Sequence, residues 1–396
     1  MFELLKVNKI PFVLLAGIML VSILAVPAFA GSDEGRPALF FQSNDNELKV
    51  WWMDQEIREY SEVFADIEAG WQAKAVADMD GDGHPDIYWL NEDGRLKVWL
   101  MDGLEHVETV RPLNPATGQP QISTDWDMMA VADLNSSGDP DIIWQSLEGP
   151  REGRLAIWLM DGVEADRFGQ LFNHPGVSSV SPLWEIGAVF DLLGDGQPEV
   201  IWQSVTGDDF DQLAYWQLDV EGDVFSRASS ARLTQEGGSA AIRSEWRMKA
   251  AVDLMDDDKH EIIFQGIRGA PMNRVSYWIM DSAARVGGGR MEPDSVQPGW
   301  SLFGAAMVQD VDRITAEELN VDFQDLLPGV FNIIIPFADA EAALGATVES
   351  KLVISVSGKA NLELEYNADR NGFFKGNVQT DDYTKDEIRD SRVILR

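Results

Sequence analysis

Four stretches of this chain repeat one another, and that repetition narrows its fold more than any other feature. They are Trp71–Gly103, Trp126–Gly162, Trp184–Gly222 and Trp246–Ser282. Each opens on Trp, places an Asp seven residues later (Asp78, Asp133, Asp191, Asp253) and ends on a Trp-containing strand. Repetition at such a period signals an array of like units that bury their cores against one another. The tryptophans fix the alignment. Trp71, Trp126, Trp184, Trp246 and Trp300 form an opening column, and Trp51, Trp99, Trp158, Trp216 and Trp278 a closing one. Trp89, Trp144 and Trp202 form a middle column, completed by Phe41 and Phe264. Of the 14 tryptophans only Trp52 stands outside, next to a columnar Trp and so expected on the opposite strand face as a surface contact.

Two incomplete copies flank the array. Residues 37–54 match the second half of a unit and residues 300–309 the first half. Joined, they make a fifth unit from the two ends of the array, which would close a ring and leave no open sheet edge. Within the first full copy, strands are expected near 72–79, 86–91, 95–101 and 105–112, with Gly81, Gly83, Gly94 and Gly103 in the turns. Four strands in about 55–60 residues is the size of a propeller blade. The sequence thus predicts an all-β chain: a five-bladed β-propeller over 31–310, one blade closed by the N- and C-terminal strands of the array. The extra length lies between units, at 114–125, 172–183 and 228–244, in loops suited to binding.

Beyond 310 the pattern stops. A connector at 311–328 with one short helix is expected to lead into a small C-terminal β domain ending at 396. Its strands are read at Phe331–Phe337, Lys351–Ser357, Asn361–Tyr366 and Phe373–Gln379. A helical turn is expected at Ala338–Gly345 and a hairpin turn at Ser357–Ala360.

The N-terminus has a different character. Lys6 and Lys9 precede an apolar run from Phe12 to Val26, and Ala28-Phe29-Ala30 is a small-x-small site. This predicts a secretory signal peptide over 1–30, cleaved after Ala30, and a secreted or periplasmic product. No Cys is present, so disulfides and cysteine lipidation are excluded. No later stretch reaches the ~20 apolar residues that span a bilayer. With 67 acidic against 31 basic residues the net charge is −36, which excludes nucleic acid as a partner and suits divalent cations.

The first full copy contains Asp78-Met79-Asp80-Gly81-Asp82-Gly83-His84-Pro85-Asp86, with carboxylates at positions 1, 3, 5 and 9. Alternating Asp on a tight glycine-containing loop turns oxygen donors inward, the chemistry Ca²⁺ requires, with the His84 carbonyl available at position 7. This D-x-D-G-D-G-x-x-D run, followed by an apolar strand and closed by V-W-L-M-D-G, resembles the FG-GAP/VCBS repeats of secreted bacterial proteins and integrin-type propellers. The resemblance covers about 37–310. It implies a calcium-binding β-propeller used for adhesion or ligand recognition, with Asp78, Asp80, Asp82, His84 (carbonyl) and Asp86 as metal ligands.

The other copies depart from this pattern. The second offers Asp133, Asn135, Ser137, Asp139 (carbonyl) and Asp141, all oxygen donors with fewer charges. The third keeps Asp191, Asp195 and Glu199 but has Leu193 at position 3; the fourth keeps Asp253, Asp257 and Glu261 but has Met255 there. The composite unit has Met307 and Ala38 at positions 1 and 9 and is expected to bind nothing. Turn-making is the alternative role for all these aspartates.

Catalytic signals are sparse. The four histidines (His84, His106, His174, His260) show no paired metal spacing, and neither a nucleophile elbow nor a phosphate loop occurs. The functional expectation is an exported, calcium-stabilised binding or adhesion module whose partner is an extracellular or envelope protein or a glycan. The alternative is a carbohydrate-active hydrolase or lyase, marked by acidic side chains converging in the propeller channel.

Overall fold

The computed structural model describes residues 35–205, 212–308, 316–317, 319–344, 346–348, 350–356, 362–368, 372–380, 382–389 and 391–395. The expected signal peptide (1–30) and the expected turn at 357–360 lie outside the described residues.

The chain is all-β, built from four-stranded antiparallel units in meander order. The first copy folds as strands Trp71–Ala77, Asp86–Asn91, Leu96–Asp102 and Glu105–Val110. The second uses Trp126–Ala132, Asp141–Ser146, Leu155–Asp161 and Glu164–Phe172. The third uses Trp184–Phe190, Glu199–Ser204, Leu213–Glu221 and Val224–Arg232. The fourth uses Trp246–Val252, Glu261–Gly266, Arg274–Trp278 and Gly289–Ser295.

The two incomplete copies pair as the sequence predicts. Trp300–Val308 lies antiparallel to Arg36–Ser43, with Ser43 opposite Trp300 and Arg36 opposite Val308. Glu47–Asp54 and Ile57–Asp66 complete that unit. The first strands run side by side in chain order, and Trp300–Val308 lies in turn against Trp71–Ala77. Outer strands add parallel pairings, Glu164–Phe172 with Val224–Arg232 and Gly289–Ser295 with Ile57–Asp66, which join the second and third copies, and the fourth copy and the composite unit, into two eight-stranded sheets. The first copy is a separate four-stranded sheet.

The tryptophan columns explain the packing. In every unit the aromatic of the second strand meets the one of the third: Phe41 with Trp51, Trp89 with Trp99, Trp144 with Trp158, Trp202 with Trp216, and Phe264 with Trp278. Ring centroids are 4.6–5.0 Å apart. Burying such large rings dominates the core energy, and tilted pairs add about 0.5–1.5 kcal/mol each beyond area. Trp52 departs from expectation. It is buried, packed with Ala38, Phe40, Val50 and Tyr60, and its indole Nε1 donates to Glu62 Oε1 at 3.3 Å. The reason is that Val76 and Leu104 of the next unit cover that face, so both faces of the strand are inside.

The C-terminal residues form a six-stranded sheet in the order Asp322–Leu327, Val330–Pro336, Phe373–Gln379, Leu362–Asn367, Lys351–Ser355 and Arg392–Leu395. Helix Phe337–Leu344 replaces the predicted helical turn. The first strand was hidden in the expected connector because its exposed residues (Gln324, Asp325, Leu326, Leu327) show no apolar alternation. Ile333, Ile335, Leu352, Leu364 and Phe374 centre its core. Among the described residues no helix is long and apolar enough to cross a membrane.

Candidate functional site

Each full copy connects its first and second strands by an aspartate loop, and only the first loop has Asp at positions 1, 3, 5 and 9. Asp78 accepts the backbone amides of Gly81 (2.8 Å) and Gly83 (2.9 Å); Asp80 accepts that of Asp82, and Asp82 that of His84. Gly81 and Gly83 both sit at positive φ, which lets the backbone bend back on its carboxylates. Carboxylate oxygens of Asp78, Asp80 and Asp86 lie within 4.8 Å of one another.

Asp86 differs from the other two. It is fully buried, and its oxygens accept the amides of Met79 (2.7 Å) and Met101 (2.9 Å), tying the loop to the third strand. Burial, partly offset by those amides, pushes its carboxyl up to about 7; the charges of Asp80 and Asp78 add to the rise. Burial and Asp82 also raise Asp80. His84 places its ring Nε2 3.4 Å from Asp102 Oδ1. Three carboxylates crowded this closely form a donor set that fits a hard divalent ion.

The second loop repeats the backbone geometry with weaker chemistry. Asp133 accepts Ser137 and Gly138 amides, and Asn135 also accepts the Ser137 amide. Asp139 donates its amide to the Ser137 hydroxyl. Asp141 is buried, accepts Leu134 and Met160, and is likewise pushed up to about 7 by burial. In the third and fourth loops Glu199 and Glu261 occupy the same buried place. A single oxygen of each accepts two successive amides, Leu192 and Leu193 or Leu254 and Met255. Position 9 is therefore a fastening residue in every full copy, whatever else it does.

The meander puts these loops at one end of the units and the second-to-third turns and inter-unit connections at the other. The connections are anchored at that end: Ile122 donates its amide to Gly94 O, and Val180 to Gly153 O. A Cβ on Gly94 or Gly153 would run into those carbonyl neighbours, so both turns need glycine.

The first strands surround a cavity of about 620 Å³, whose mouth, near Asn44, Asn46 and Glu92, opens at this second end. Every first strand carries a β-bulge at its fourth residue. A bulge re-aims side chains, and here the bulged residues Lys74, Met129, Gly187, Lys249 and Phe303 all line the cavity. The second residues, Gln72, Asp127, Glu185, Arg247 and Ser301, form another ring of lining groups. Two carboxylates thus face three cations, with Glu92 exposed at the mouth. Asp127 pairs with Lys74 at 2.8 Å. Burial raises Glu185 despite the attraction of Arg247 and Lys249. Burial, then Lys74 and Arg247, lower Lys249.

Sequence reasoning missed the side chains that fasten unit to unit. Gln145 Nε2 donates to the Trp184 carbonyl at 2.7 Å, and its Oε1 accepts the Ile186 amide at 3.1 Å. Gln42 does the same to Trp71 and Ala73, Gln203 to Trp246 and Met248, and Gln265 to Trp300 and Leu302. Each Gln directly follows the middle aromatic column, a signal that was available. Leu90 holds that place in the first copy.

Similarity to known proteins is limited. No curated protein matches the chain. Among solved structures it is similar to AofleA from Arthrobotrys oligospora at 13% identity and a TM-score of 0.37, over 69% of this chain and 72% of that one. A triple arginine-to-alanine variant of that protein gives 14% and 0.37, over 68% and 72%. The mitotic checkpoint complex gives 9% and 0.33, over 78% and 88%. Residues 78–144, which hold the first two aspartate loops, match the model of the FG-GAP-like repeat.

Proposed function

We propose that the chain is an exported, calcium-stabilised five-bladed β-propeller over 31–310, followed by a small β domain over 311–396. It works as a binding or adhesion module for an extracellular or envelope protein or glycan. The observation that carries this reading is the pairing of Arg36–Ser43 with Trp300–Val308, which joins the two ends of the array in one unit. The cyclic contact of the first strands supports the blade count. A ring held this way is a rigid scaffold whose loops are free to vary, the arrangement in which binding surfaces are usually found. Calcium at Asp78, Asp80, Asp82, the His84 carbonyl and Asp86 would offset the mutual repulsion of the first loop, and Asp133, Asn135, Ser137, Asp139 and Asp141 would form a weaker second site.

A glycan array together with affinity capture from the native envelope extract tests this role. Stoichiometric retention of one glycan class or one envelope protein is the expected result. Turnover of a polysaccharide would instead make the channel the active site of a hydrolase or lyase.

A further inference from the structure

In the channel Lys74, Arg247 and Lys249 face Asp127 and Glu185, with Glu92 at the mouth, and the three cations differ in how directly they are matched. Lys74 is already matched by Asp127, its Nζ lying 2.8 Å and 3.0 Å from the two carboxylate oxygens. Arg247 donates to the Ser244 and Trp246 carbonyls and feels the attraction of Glu185. Lys249 is different. Its ammonium makes no hydrogen bond or ion pair among the described residues, although it lies deep in the ring on a bulge that turns it into the cavity. Burial, then the nearby cations Lys74 and Arg247, disfavour its charge more than Glu185 and Asp127, which make no direct contact with it, favour it. An anion beside it would relieve both penalties.

The surroundings narrow the class of anion. Asp127 and Glu185 face the same cavity, so a multiply charged ligand such as phosphate would meet two like charges. A monoanion would leave the channel nearly neutral. Around the mouth stand neutral hydrogen-bonding side chains, Gln72, Asn44, Asn46 and Ser301, which suit hydroxyl groups rather than further charge. At about 620 Å³ the cavity is the size of a small-molecule site.

We propose that the channel binds a small hydroxylated monocarboxylate, its carboxylate held by the Lys249 ammonium and its hydroxyls by the neutral side chains at the mouth. The proposal rests on the closed-ring reading above but needs neither calcium nor the envelope partner.

Isothermal titration of the purified chain with gluconate, sorbitol and acetate tests it, in calcium and in chelator. Gluconate carries the carboxylate and the hydroxyls, sorbitol only the hydroxyls, and acetate only the carboxylate. Gluconate should bind in both buffers, acetate more weakly, and sorbitol not measurably. Lys249→Met should weaken gluconate roughly tenfold or more, because the charge-assisted contact is gone, whereas Lys259→Met outside the channel should leave it unchanged. Glu185→Gln removes a competing carboxylate and should tighten gluconate, a readout that stands even if the Lys249 variant misfolds. Equal binding of sorbitol and gluconate, full affinity in Lys249→Met, or weaker binding in Glu185→Gln would each overturn the proposal. Absence of gluconate heat from a chain that still captures its envelope partner would overturn the channel site alone.

Discussion

Lys74 and Asp127 join the first two units where the other seams use glutamine. Asp127 Oδ1 accepts the Met128 amide at 2.9 Å, the same backbone position that Gln145, Gln203 and Gln265 serve from the preceding unit elsewhere. Its carboxylate also takes the Lys74 ammonium from across the seam. Leu90 cannot clamp, so a charge pair does the joining. Charge pairs that are partly exposed are weaker than buried amide hydrogen bonds, and salt screens them.

The glutamine clamps should therefore contribute more than this ion pair. Gln145→Leu copies the natural Leu90 but leaves the Trp184 carbonyl and the buried Ile186 amide without their partner. Stranding such groups costs about 1–3 kcal/mol. Urea unfolding of Gln145→Leu should show a loss of that size, insensitive to salt. Lys74→Met should lose less, and its effect should shrink as salt is raised.

Trp52 gives a second test, because it separates core from contact surface. Its ring is 3% exposed and packs between two units. Trp52→Ala should destabilise by about 3–5 kcal/mol, as large aromatic deletions in cores do. Unchanged stability with lost ligand capture would restore the surface role that sequence position suggested.

How much of this was legible follows from what a period can encode. The columns of Trp and the two half-units depend only on spacing, so the paired aromatics and the joined ends could be read directly. The buried face of Trp52 could not, since a strand's second face is covered by a neighbour that no local pattern announces. The bulges that aim Lys74 and Lys249 into the channel leave no residue signature either: the bulged position holds Lys, Met, Gly, Lys and Phe in turn. Position 9 of the loops was read as a metal ligand. Its burial and two amide partners give it a structural task that holds with or without an ion.

Calcium should act through the first loop. Its carboxylates are the only cluster of three acidic groups within ligand reach of one another among the described residues. If the ion binds the folded chain alone, calcium at a hundredfold excess over its Kd adds about 2.7 kcal/mol of stability. Asp80→Ala should abolish most of that increment in thermal melts, while Asp257→Ala in the fourth loop should preserve it. Equal losses from both would show that having a carboxylate at every alternate ligand position does not rank the loops.

In chelator the third and fourth loops should make stability fall as pH rises. Burial lifts Glu199 and Glu261 from an ordinary value of 4.5 to about 7. A carboxyl whose pKa is higher folded than unfolded binds more protons in the folded state between those two values. Its stabilising effect is complete below about pH 4.5 and is lost progressively as pH rises towards 7. Glutamine can replace the proton-bearing form, since one oxygen in each Glu already accepts both amides and Oε1 of Glu261 has no hydrogen-bond partner among the described residues. Melting temperatures measured in chelator from pH 4.5 to 7.5 should decline in the parent chain. The decline should be shallower in Glu199→Gln and in Glu261→Gln, and shallowest in the double variant. A parent profile that rises over this range, or one that glutamine leaves unaltered, would mean these carboxyls are ionised in the folded protein throughout.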